Sequence, residues 1–365
     1  MKAGWRRLGE LPFRAAEGLF PGYFAMVMAT GTLSIAIDLL GYRVIADALL
    51  AINVVAYAVL AMLAMLRLTL YFPRVARDMA DHARGPGFFT AVAGTCVLGS
   101  EFVVVADAMA VARIFWMLGL CLWIVVTYAF FFSVTVREHK PALAAGLSGA
   151  WLIAAVATQG ISLLATLVAP SFPGGEAAVL FIALAFNLLG AMLYLAVITL
   201  IFYRLTFIKV AAEHFAPTYW INMGAVAIST LAGSMLVLHA QESPLVAELL
   251  PFIKGLTLLF WVIGTWWIPL LVLLAAWRYL WKRHPIRYEP RYWGLAFPLA
   301  MYTTATFQLA SAEHLDFLMV VSRGFLIPAL VVWVIVFAGL VRSIAREVAS
   351  ALVISDACAR RGRNA

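Results

Sequence analysis

Residues 218–235 read TYWINMGAVAISTLAGSM, and residues 258–275 read LLFWVIGTWWIPLLVLLA. Both stretches are apolar and free of charge, yet the first holds nine Gly, Ala, Ser or Thr residues and the second three. Lipid tails do not favour small side chains on a helix, whereas close helix packing or a wall around a passage does. The same contrast runs the length of the chain. Windows 21–38, 88–105, 147–164, 218–235 and 293–310 hold 41 small residues in 90 positions, while windows 45–62, 115–132, 184–201, 258–275 and 324–341 hold 21. Ten apolar segments alternating in kind predict an all-α polytopic membrane protein. Its ten transmembrane helices form five tandem hairpins, with the odd helices as an inner ring around a central pore.

Composition agrees. Of 365 residues, 65% are hydrophobic and 12% charged, about half the charge fraction of an ordinary soluble domain. Segments of about 20 apolar residues suffice to cross the hydrocarbon core as helices, and the alternating pattern of barrel strands is absent. The net charge of +8 does not point to nucleic acid, because it is spread over short loops between spans, as insertion topology demands. With the N-terminus inside, 22 of the 26 basic residues fall on the cytoplasmic side and only Arg43, Arg113, Lys254 and Arg323 outside. Both termini are therefore expected in the cytoplasm of a cell with a bacterial-type inner membrane. The first 18 residues lack an uninterrupted apolar core followed by a cleavage site, so no cleaved signal peptide is expected. Cys96 and Cys121 fall in spans and Cys358 in the tail, which writes no disulfide framework.

The expected organisation is a cytoplasmic N-terminal segment over 1–19, a ten-helix domain over 20–345 and a cytoplasmic tail over 346–365. Each odd helix begins with an aromatic residue or pair, ending at Phe24, Phe89, Trp151, Trp220 and Trp293. The intervals of 65, 62, 69 and 73 residues are one hairpin long and suggest a fivefold pseudo-repeat, although aromatics are also common at membrane interfaces.

The centre of such a ring is neutral. No Asp, Glu, Lys, Arg or His lies in the middle of an odd helix; Asp38 and Glu101 sit towards the outer ends, and the six histidines fall in loops or at helix ends. Intramembrane proton or cation sites need deeper charges, so no metal or cofactor is expected, and nothing pairs a nucleophile with a base. The polar groups that remain are hydroxyls and amides. Thr30, Thr95, Thr158, Asn222, Ser229, Thr303 and Thr304 are the candidate pore-lining residues, with Thr32, Ser34, Gln159, Ser162, Thr230, Thr306 and Gln308 in the same set. Hydrogen-bond donors can solvate an anion without trapping it; the same hydroxyls can also bond back to their own helix or glue helices together. Pro298 is the proline inside an odd helix, where it breaks one helix hydrogen bond. A bend there either aims Phe297 into the centre as a plug or packs it as an ordinary core ring.

At these residues the chain resembles the tellurite-resistance/dicarboxylate transporter family, which includes fungal malate permeases, sulfite exporters and plant slow anion channels. The matching passages are Pro21–Gly31, Pro217–Gly224, Trp266–Pro269 and Tyr292–Pro298, with Tyr203-Arg204-Leu205 at the exit of helix six. The resemblance implies five helical hairpins around a pore, a homotrimer in bacterial members, and a phenylalanine gate that falls by motif on Phe297 beside Pro298. Family prolines that kink other inner helices are missing from helices three and five, apart from Pro86.

The function expected is transport of a small anion, with a C4-dicarboxylate such as malate as the leading substrate. The alternatives are efflux of an inorganic oxyanion (sulfite or tellurite), an anion channel, and, more remotely, a membrane enzyme or receptor. An acidic outer mouth, with Asp38, Glu101, Glu242, Glu313 and Asp316, fits export better than uptake. The partners expected are the anion, the lipid bilayer and further copies of the chain, and not nucleic acid.

Overall fold

The computed structural model describes residues 11–209, 211–212 and 215–361, with side chains described to residue 350. Ten long helices account for most of it: α1 (Ala25–Leu39), α2 (Arg43–Leu70), α3 (Phe89–Val104), α4 (Met109–Thr135), α5 (Ile153–Val168), α6 (Glu176–Phe207), α7 (Ile221–Leu238), α8 (Leu250–Ala276), α9 (Trp293–Glu313) and α10 (Leu318–Arg361). There are no strands among the described residues.

The small-residue helices pack against one another in a closed circle: α1 on α3, α3 on α5, α5 on α7, α7 on α9, and α9 back on α1. Each even helix lies against its own hairpin partner and against the next inner helix, so α10 touches both α9 and α1. Burial follows the same division. The apolar windows of the first four inner spans are 72% to 94% buried, whereas those of the even spans are 17% to 33% buried and present their Leu, Val and Phe side chains outward. Small side chains let five backbones approach closely enough to close the ring, and the bulky helices cover its outside.

Nine of the helices are long and apolar enough to cross a membrane. The tenth, α9, falls short of the expected apolarity because Thr303, Thr304, Thr306, Gln308 and Ser311 crowd its second half. It lies between α1, α7 and α10 with most of its residues buried, and a helix enclosed by protein does not need the apolarity that lipid contact imposes.

Each inner helix is entered through a short 3₁₀ turn: Pro21–Phe24, Gly85–Phe88, Gly149–Leu152, Pro217–Trp220 and Pro290–Tyr292. Proline opens four of them, where its fixed φ and missing N–H cost nothing. These turns touch in sequence and close a second, smaller circle at the same end of the molecule. Glycine permits the approach: a Cβ on Gly87 would stand 2.8 Å from the Gly22 nitrogen, and one on Gly149 would stand 2.2 Å from the Thr218 carbonyl oxygen.

The segment after α2 contains a further helix, Phe72–Met79, anchored by an ion pair of 2.6 Å between Arg67 and Asp78. The last helix, α10, runs unbroken from Leu318 to Arg361 and so carries the chain on through residues 346–361.

Candidate functional site: an axial cavity

A cavity of about 290 Å³ opens at the end where the 3₁₀ turns meet. All five inner helices or their opening turns contribute to its wall, with Ala25 and Met28 from α1 and its turn, Thr90 from α3, Val156 from α5, Ile221 from α7, and Phe297 from α9. It therefore lies on the axis of the ring. Counting four residues on from the last aromatic of each opening gives Met28, Ala93, Ala155, Gly224 and Phe297. Phe297 is the one aromatic ring at that level, and it is 1% exposed. Pro298 follows it inside a continuous α9, and α7 presses close here, because a Cβ on Gly224 would meet Pro298 Cγ at 2.7 Å.

Among the described residues, the charged side chains in the cavity wall are Arg204 and Arg291, and no carboxylate joins them. Arg204 leaves the end of α6, is 5% exposed, and donates from Nη2 to the Ala144 carbonyl at 2.6 Å. Its guanidinium sits over the Tyr219 ring, 5.7 Å from the centroid. Arg291 is exposed and covers Phe20 in the same way. Two cations at the mouth of a cavity with low-dielectric walls attract anions and repel cations.

The candidate hydroxyls divide. Thr30, Thr95 and Thr158 turn away from the axis. Thr30 Oγ1 accepts from Trp333 Nε1 of α10 at 3.0 Å, Thr95 Oγ1 shares a hydrogen bond of 2.9 Å with the Tyr57 hydroxyl of α2, and Thr158 Oγ1 accepts from Trp123 Nε1 of α4 at 2.9 Å. An aromatic side chain on the outer helix holds each of these three hydroxyls. The two remaining inner helices have their own version, with the Tyr194 hydroxyl of α6 donating to the Asn222 carbonyl of α7, and Thr265 of α8 bonded to the Tyr302 hydroxyl of α9 at 2.7 Å. A clasp between each outer helix and the next inner helix thus recurs five times round the ring.

Others in the wider set also face outer helices. Ser34 donates to the Ala46 carbonyl, Gln159 exchanges hydrogen bonds with Asn187, Ser162 donates to the Ala183 carbonyl, and Thr306 accepts from Trp261. Ser229, Thr230 and Thr303 donate to carbonyls one turn back on their own helices, and Thr304 donates to the Ala300 carbonyl and, across to α1, to the Thr32 carbonyl. The Asn222 amide is fully buried and neither of its side-chain polar atoms has a partner; Thr32 Oγ1 is likewise buried and unpartnered.

At the opposite end the acidic residues are partly neutralised. Arg43 pairs with Asp38 at 3.2 Å and Asp47 at 3.3 Å, and Lys254 with Glu313 at 3.0 Å, while His239 Nδ1 shares a hydrogen bond of 2.8 Å with Glu242 Oε1. Glu101 is fully buried on α3, where Asn53 Nδ2 of α2 donates to its Oε2 at 2.6 Å.

A ring of small-residue helices around an axial cavity, jacketed by apolar helices, defines a membrane protein of the transporter or channel class. The chain belongs to the voltage-dependent anion channel family (SLAC1), whose sequence model matches residues 19–341. It is therefore an anion transporter or channel by family, a class that is not enzymatic. An uncharacterized membrane protein of Mycobacterium tuberculosis is 34% identical over 156 residues, covering 43% of this chain and 79% of that protein. An uncharacterized transporter of Methanocaldococcus jannaschii is 26% identical, covering 80% and 83%. A sulfite efflux pump of Trichophyton rubrum is 24% identical, covering 89% and 90%.

Proposed function

We propose that the protein moves small anions along the axis of the inner ring, with C4-dicarboxylates such as malate as the substrate class and Phe297, backed by Pro298, as the ring that closes the path. The observation that carries this reading is the axial cavity, whose described wall has two arginines, no carboxylate, and Phe297 among its lining residues. A neutral bore beyond a cationic mouth passes anions and rejects cations, with the unpartnered Asn222 amide as its free donor. Asn222, Ser229, Thr303 and Thr304 remain the proposed lining beyond Phe297. In this reading the cavity opens to the cytoplasm, the membrane is a bacterial-type inner membrane, and the assembly is a homotrimer.

Export of sulfite is the second reading, and the likeness to a sulfite efflux pump favours it. Flux through purified protein in liposomes, compared for malate, sulfite, chloride and sodium with and without a pH gradient, separates the two. Malate flux that follows the proton gradient supports a coupled dicarboxylate transporter, sulfite flux without malate flux supports the exporter, and silence for every anion removes the transport reading.

A further inference from the structure

Three buried arginines stand near the ends of outer helices at the face where the cavity opens, and they are satisfied differently. Arg67 is neutralised by Asp78 at 2.6 Å. Arg278 donates to the backbone carbonyls of Ala212 and Phe215. Arg204 has a single hydrogen bond, to Ala144, and its Nε and Nη1 have no partner. No described carboxylate lies within ion-pair distance of it. A buried guanidinium with unpaired N–H groups is costly to keep, since both desolvation and the missing hydrogen bonds count against it. Arg204 nevertheless borders the axial cavity, with Ser148 and Thr218 hydroxyls in the same wall. Its position is fixed by the Ala144 carbonyl on one side and the Tyr219 ring beneath.

We infer that Arg204 is the docking group for anions entering the axial cavity: a carboxylate or an inorganic oxyanion accepts hydrogen bonds from its free N–H groups and supplies the counter-charge that no described side chain provides. This deepens the transport reading and rests on it for the identity of the anion. Arginine suits the task because it stays charged when buried and donates from several nitrogens at once, so one can hold the backbone while others hold the ligand.

The test is calorimetric titration of malate and of sulfite into the detergent-purified protein, paired with flux in liposomes. Arg204→Gln is expected to weaken binding about tenfold or more, as loss of a charge-assisted donor does, and to raise the half-saturating concentration for entry from the cavity side. Because Arg204 also holds Ala144, a second variant avoids that bond. Ala145→Asp, at an exposed position in the cavity wall, adds a competing carboxylate and is expected to weaken binding similarly. Arg342→Gln, exposed and outside the cavity wall, serves as the control with wild-type affinity. Unchanged affinity in Ala145→Asp and in folded Arg204→Gln overturns the docking role and leaves transport standing if wild-type flux persists. Binding that depends on Arg204 in a protein with no anion flux upholds the docking site and removes the transport reading instead.

Discussion

Trp333 Nε1 donates to Thr30 Oγ1 over 3.0 Å, joining residues 303 positions apart in the chain. The bond ties the last outer helix to the first inner one, and so closes the circle that chain connectivity leaves open between α10 and α1. Trp333→Phe keeps the ring and removes the donor. It is expected to destabilise the protein by about 1 kcal/mol, the usual scale for a side-chain hydrogen bond between membrane helices. Thermal unfolding in detergent checks it, and adding Thr30→Val should cost little more, because the two substitutions remove one shared interaction.

Phe297→Ala is expected to raise anion flux several-fold in liposomes, because it removes the large ring from a level where the other inner helices carry Met28, Ala93, Ala155 and Gly224. Sodium flux should stay at background. A correctly folded Phe297→Ala protein with wild-type flux would show that the ring does not close the path.

Gly149→Ala tests the circle of 3₁₀ turns. The added Cβ would stand 2.2 Å from the Thr218 carbonyl oxygen, a backbone atom that cannot swing aside, so two neighbouring turns must separate. A loss of about 2 kcal/mol or more is expected, at the upper side of overpacking costs. Gly255→Ala is the comparison: nothing lies within 4 Å of its Cβ, and in mid-helix the change is neutral or favourable. Melting temperatures of the two variants give the answer.

Asn53→Ala leaves the buried Glu101 side chain without the donor that meets its Oε2 at 2.6 Å. The orphaned acceptor is expected to cost about 1–3 kcal/mol, whereas Glu101→Gln, which can still accept from Asn53, should be milder. A denaturation series that ranks the two in the opposite order would contradict this pairing.

Stability should fall with acid through His82. Burial, together with the positive charges of Arg137 and Lys140, holds its imidazole below the ordinary 6.5, against the opposing pull of Asp81. The unfolded chain therefore takes up the proton more readily. The stabilisation from this group is complete above about pH 6.5 and is lost as the pH falls below it. His82→Phe, which can keep the ring contact with Trp151, should flatten the melting temperature between pH 7.5 and 5 as read by circular dichroism, to the extent that this histidine carries the slope.

The division into inner and outer helices was legible because small residues record close packing wherever they cluster. Texture alone did not reveal which way a hydroxyl faces. Thr95 on α3 looks the same in the sequence whether it meets the axis or Tyr57, and the structure turns it to Tyr57. A signal was present in the outer helices: Tyr57, Trp123 and Tyr194 recur at intervals of 66 and 71 residues, the same hairpin period as the inner aromatics, each carrying a donor in an otherwise apolar span. The sequence puts Arg204 at the exit of the sixth helix; its place in the cavity depends on where α6 ends against the turn at Gly149–Leu152, which no local pattern encodes. Phe297 stood out because proline follows it, and the axial cavity does reach it. α9, predicted as one of the inner-ring helices, is less apolar than the nine helices long and apolar enough to cross a membrane, and its threonines mark a helix enclosed by protein.

The five clasps have a consequence for how the bore keeps its width. Helices lined with Gly and Ala have little side-chain bulk with which to brace one another, so their spacing is set from behind, by hydrogen bonds to the lipid-facing layer, four of them through a Tyr or Trp rooted there, much as an outer hoop sets the gap between staves. Slackening a single anchor would shift one stave and leave four in place, giving an asymmetric aperture. Selectivity is therefore adjustable from positions that no permeating ion ever meets.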